Sequence, residues 1–91
     1  MTRLVKIFAS KAQTKLLQYL LEHSGSIFNQ ALLARRLDLS PTTIARVLEP
    51  LVEEGIINYE RVSSQMKIIA LNDESEKTHM LVEFNEKLRR V

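Results

Sequence analysis

Residues 29–55 read NQALLARRLDLSPTTIARVLEPLVEEG, a pattern of two short helices separated by a tight turn. The first helix covers residues 30–37, the turn is Asp38-Leu39, and the second helix is introduced by Ser40. Ser40 suits an N-cap, because its hydroxyl accepts a hydrogen bond from an amide that the first helical turn leaves unpaired. Pro41 follows at the first helical position, where no intrahelical N–H is needed. Ala34, Leu37, Leu39, Ile44, Val47, Leu48 and Leu51 are spaced to turn one face of each helix inward, so that the two cross closely.

Upstream, Leu4, Val5, Ile7 and Phe8 make residues 1–9 an apolar arm or strand that also carries Arg3 and Lys6. Ser10 and Gln13 have capping-box spacing and open a helix that runs to about His23. Leu16, Leu17, Tyr19, Leu20 and Leu21 give that helix a wide apolar stripe, and Ser24-Gly25-Ser26 ends it. Ile27-Phe28 reads as a very short strand, and Asn29 as the N-cap of the next helix.

Downstream, Pro50 lies inside the second helix of the pair and predicts a kink or a break there, with Gly55 as the C-cap. Residues 56–61 and 66–71 read as two strands joined by the polar loop Val62-Ser63-Ser64-Gln65. Residues 72–91 form a last helix, with Asp73 and Glu76 at capping-box spacing and Lys87, Arg89 and Arg90 at the far end, where they suit the helix dipole. Leu81, Phe84, Leu88 and Val91, with Met80 beside them, form an apolar stripe that needs a partner surface.

These residues carry a resemblance. Residues 29–55 resemble a helix-turn-helix, and residues 10–71 together look like a winged helix of the MarR/ArsR-like transcription-factor class. Ala34 matches the small residue at the helix crossing, Leu39 the apolar turn residue, and Ile44 and Val47 the inward positions. Where that class usually has a left-handed Gly, this chain has Asp38, which tolerates that conformation better than most residues. The implied fold is mostly α with a small antiparallel sheet (α+β): one domain over 1–91, with a core at 10–71 and an added C-terminal helix at 72–91. Many proteins of that class dimerise through terminal helices, so Leu81, Phe84, Leu88 and Val91 are the expected homodimer interface.

Composition is consistent with this reading. A chain of 91 residues, 45% apolar, with two Gly and two Pro, is one domain with a core. It has no cysteine, which removes disulfides and thiolate metal sites. No apolar run approaches the roughly 20 residues of a membrane span, and the apolar start is too short for a signal peptide. The net charge is +2, with Arg3, Lys6, Lys11 and Lys15 near the start and Glu49, Glu53, Glu54 and Glu60 past the middle of the second paired helix. Basic charge thus gathers at the entry side and acid at the far end, as expected if only the N-terminal end of that helix meets phosphate. Glu53 and Glu54 read as solubilising.

No catalytic constellation is present in the pattern: there is no phosphate loop, no nucleophile motif, and His23 and His79 lack ligand partners at local spacing. No metal or cofactor is expected. The chain reads as a binding protein for double-stranded DNA. A helix entering the major groove presents short polar or basic side chains at its N-terminal end. Ser40, Thr42, Thr43 and Arg46 occupy that end, away from the apolar stripe. Gln30, Arg35 and Arg36 on the preceding helix are candidate backbone contacts, with one arginine facing phosphate and the other pairing with an acid. Arg61, Gln65 and Lys67 are the candidates on the two-stranded wing. The expectation is a dimeric, cytoplasmic, sequence-specific transcriptional regulator without a separate effector domain. The competing expectation is a winged helix that docks proteins within a larger transcription or replication assembly.

Overall fold

The structure, a computed structural model, describes residues 10–63 and 66–91. The expected order of helices and strands appears as α1 (Lys11–Glu22), β1 (Phe28–Asn29), α2 (Gln30–Leu37), α3 (Pro41–Glu53), β2 (Ile57–Arg61), β3 (Lys67–Leu71) and α4 (Glu76–Arg89).

Each helix starts at a side-chain cap. Ser10, Asn29, Ser40 and Ser75 accept from the backbone N–H of Gln13, Leu32, Thr43 and Thr78. The two helix ends that set the central geometry use left-handed residues. Asp38 has φ +56°, and Leu39 N–H returns to the Ala34 carbonyl. Gly55 has φ +77°, with Gly55 N–H on Val52 O and Ile56 N–H on Leu51 O, the paired bonds of a Schellman ending. Asp38 thus fills the position where the resembled class has glycine.

Leu16, Leu17 and Leu20 of α1, Leu33, Ala34 and Leu37 of α2, and Ile44, Val47, Leu48 and Leu51 of α3 are buried together. Ile56, Ile57, Ile69 and Leu71 close that core from the sheet side. The sheet is antiparallel in the order β1-β3-β2, with Phe28 opposite Ile69 and Ile57 opposite Leu71.

Several expectations change. The first strand is shifted by one residue: Phe28 is buried beside Ile69, whereas Ile27 is exposed and outside the ladder. Strand alternation allows only one of the two adjacent apolar residues to face the core. Pro50 does not break α3, which continues to Glu53 with Leu51 fully buried. Burial of the Leu51 side chain in the core offsets the one missing backbone bond. The last helix begins at Glu76 rather than Asn72, because the Asn72 side chain accepts from Glu74 N–H and donates to the Gly55 carbonyl, forming a turn. Glu54 is not a solubilising residue: its largely covered carboxylate pairs with Lys77 Nζ at 2.8 Å.

Candidate nucleic-acid interface

The N-terminal end of α3 is built by two hydroxyls. Ser40 Oγ accepts from Thr43 N–H at 3.1 Å and donates to Thr43 Oγ1 at 2.9 Å. That arrangement leaves the Thr43 hydroxyl proton free to donate outward. The first turn of α3 holds no acidic residue, so the positive end of the helix dipole is uncompensated. Thr42 and Arg46 are exposed on the side opposite the buried Ile44, Val47, Leu48 and Leu51. Among the described residues, neither makes a side-chain hydrogen bond or ion pair. Arg46 can therefore fork onto a guanine edge or a phosphate without first breaking an internal contact.

Helix α2 contributes differently from what the sequence suggests. Gln30 is half-buried and works as a tie: its Nε2 donates to Pro41 O at 3.3 Å, and its Oε1 accepts from Tyr59 OH at 3.0 Å. Arg35 and Arg36 are both exposed. Arg36 Nη1 donates to Tyr19 OH at 2.7 Å, so the arginine expected to pair with an acid meets a phenol on α1 instead. Tyr19 in turn stacks on His23 with ring centroids 4.3 Å apart.

At the hairpin end, Arg61 and Lys67 face each other directly across β2 and β3. Like charges at such a rung repel, and an anion between them relieves the repulsion. Val62 N–H bonds Met66 O at 2.9 Å to close this end. Gln65 lies outside the described residues, as does the arm at 1–9 with Arg3 and Lys6.

On α4, Leu81 and Val82 are half-buried against the chain's own core. Leu81 therefore already has an intramolecular partner, and Val82 is a packing residue that the sequence stripe missed. Met80, Phe84, Leu88 and Val91 are exposed. Thr78 is 1% exposed and donates to the Ile56 carbonyl at 3.0 Å, another contact that no local pattern announces. His79 bonds the Asp73 carbonyl and His23 the Tyr19 carbonyl, both at the surface. Among the described residues no cluster of His, Asp or Glu is arranged to hold a metal ion. No helix among them is long and apolar enough to cross a membrane.

The model of the winged helix-turn-helix DNA-binding family matches residues 10–58. The chain belongs to this family. Its described elements give the winged helix in full, with α2 and α3 as the helix-turn-helix, β2 and β3 as the wing, and α4 added behind them. Among solved structures it is similar to HlyU from Vibrio cholerae, with 23% identity and a TM-score of 0.72 over 94% of this chain and 87% of that one. HlyU from Vibrio vulnificus, a transcriptional regulator, is similar at 21% identity and TM-score 0.68, over 94% and 83% of the two chains. An Escherichia coli protein described as a predicted DNA-binding transcriptional regulator is similar at 21% identity and TM-score 0.66, over 93% and 84%. No curated protein matches the chain. At these identities the structural likeness extends the fold to α4, beyond the residues that the family model matches.

Proposed function

We propose that this winged helix is a sequence-specific transcriptional regulator that binds double-stranded DNA as a homodimer in the cytoplasm. The carrying observation is the α3 N-terminus: Thr42 and Arg46 are exposed and unengaged among the described residues, on a helix whose family is DNA-binding. In this reading Arg46 and Thr42 meet base edges in the major groove. Ser40, Thr43, Arg35 and the α3 dipole hold the flanking phosphate, and the Arg61–Lys67 rung takes the next backbone segment. Gln30 and Arg36 act as positioning residues, since their side chains tie α2 to α3, the wing and α1.

The dimer is supported by the exposed Phe84 and Leu88 of α4 and by the exposed Val91 just beyond it. A two-fold pairing there would set two recognition helices on a pseudo-palindrome, and the two weakly basic halves would add their phosphate contacts. Occupancy of such a site changes polymerase access. The test is repeated selection from a random DNA pool at about 150 mM salt, where non-specific affinity is already weak. Recovery of a palindromic consensus is the expected result. Failure to enrich any sequence with folded protein would sink the regulator reading.

A further inference from the structure

On the flank of α3 next to the wing there is a groove of about 410 Å³ that no step of the DNA-binding reading uses. Leu48 forms its floor, Ala45 and Val52 one wall, and Tyr59 of β2 the other. Glu49 and Glu53 stand along its rim. The Tyr59 wall is fixed, because the phenol donates to Gln30 Oε1. Val52 and Tyr59 remain 38% and 40% exposed, so the apolar lining is open to an incoming side chain. Glu49 and Glu53 are exposed, and among the described residues neither has a cationic partner.

The charge is placed against the helix's other task. Glu49 and Glu53 continue the outward line of Thr42 and Arg46 towards the C-terminal end of α3. Negative charge there repels the phosphate backbone, and so confines DNA to the N-terminal half of the helix. The same two carboxylates complement a cationic partner whose apolar side chains enter between α3 and β2. We infer that the groove between α3 and the wing docks a basic amphipathic helix of another protein, with its apolar anchors on Leu48, Val52 and Tyr59 and its Lys or Arg residues on Glu49 and Glu53. Such a helix seats an apolar stripe in the groove and satisfies its rim with charge. The docking surface lies beside the DNA-reading end of α3 without including Thr42 or Arg46.

The test uses the full chain and a synthetic helix with Leu and Phe at i, i+3, i+4 and i+7 and Lys or Arg elsewhere. Binding is followed by amide chemical shifts and by fluorescence titration. The expected result is saturable binding with shifts centred on Ala45, Leu48, Val52 and Tyr59. The E49Q/E53Q variant should weaken it about tenfold, and Val52→Lys should weaken it as well, while Phe84→Ser should leave it unchanged. A version of the peptide with Glu in place of Lys and Arg should fail to bind. Three results would overturn the inference: shifts on the exposed face of α4, equal binding by E49Q/E53Q, or filling of the groove by a second copy of the chain with no added peptide. DNA binding is measured on the same variants. E49Q/E53Q should bind DNA at least as tightly as the parent, so loss of the DNA reading and loss of the docking reading are separately visible.

Discussion

Two positive-φ residues fix the angles at which α3 enters and leaves the core. At Gly55, φ is +77° and an added β-carbon would meet nothing within 4 Å. Any cost of a side chain there is therefore conformational rather than steric. Gly55→Ala should lower unfolding stability by about 1 kcal/mol, read as a lower urea midpoint with an unchanged slope. At Asp38, φ is +56°, a conformation that a short polar residue bears at less cost than an apolar or branched one. Arg46 has the opposite profile: it is exposed and, among the described residues, unengaged, so the fold does not depend on it. Arg46→Ala should cost about 1–3 kcal/mol of affinity for the selected DNA site and leave the thermal midpoint in place. Titration of the site and a scrambled duplex separates a base contact from a phosphate contact, since only the former changes the ratio.

At the scale of elements, the decisive joint is between the end of α3 and the start of α4. The Ile56 carbonyl accepts from Asn72 N–H at 2.8 Å and from Thr78 Oγ1 at 3.0 Å, and Lys77 reaches Glu54 alongside. These bonds hold α4 on the back of the helix-turn-helix, where Leu81 and Val82 can pack. Thr78→Val keeps the side-chain shape and removes one of the two donors to Ile56 O. Because Asn72 N–H remains, the carbonyl is not orphaned, and the loss should be only about 1 kcal/mol, visible in chemical denaturation. A loss several times larger would mean that Thr78 anchors the joint alone. The Lys77–Glu54 pair adds to the same joint, although the exposure of the lysine weakens its contribution.

For the molecule as a whole, the C-terminal segment divides into a packed part and an exposed part. Thr78, Leu81 and Val82 belong to the fold, whereas Phe84, Leu88 and Val91 are turned to solvent. If the proposed dimer forms through α4, the double variant Phe84→Ser/Leu88→Ser should keep its circular dichroism spectrum but sediment as a monomer. On DNA it should retain half-site contact and lose preference for the palindrome. If the parent itself sediments as a monomer at micromolar concentration, the α4 pairing is wrong. The two acidic residues towards the C-terminal end of α3 and the basic groups at Arg35, Arg46, Arg61 and Lys67 separate charge locally on this small molecule, despite a net charge of only +2.

The chain by itself determined what depends on neighbours within a turn or two of helix. Ser10, Asn29 and Ser40 were readable as caps, the α2–α3 pair was placed by its punctuation and inward stripe, and Thr42 and Arg46 stood on the outward side. These follow from backbone geometry and 3.6-residue periodicity, which the sequence carries directly. Tertiary structure decided the rest. It kept α3 intact through Pro50 by burying Leu51 in the core. It chose Phe28 over Ile27 for the core, made Gln30 a tie to Pro41 and Tyr59, moved the start of α4 to Glu76 and drew Glu54 to Lys77. Each of these last four outcomes involves partners 11 to 41 positions apart, brought together only when the helices close on the sheet, and the start of α4 adds the local Asn72–Glu74 turn to its long-range bond. Periodicity states which faces are apolar. Only the packed molecule states which of those faces is already covered.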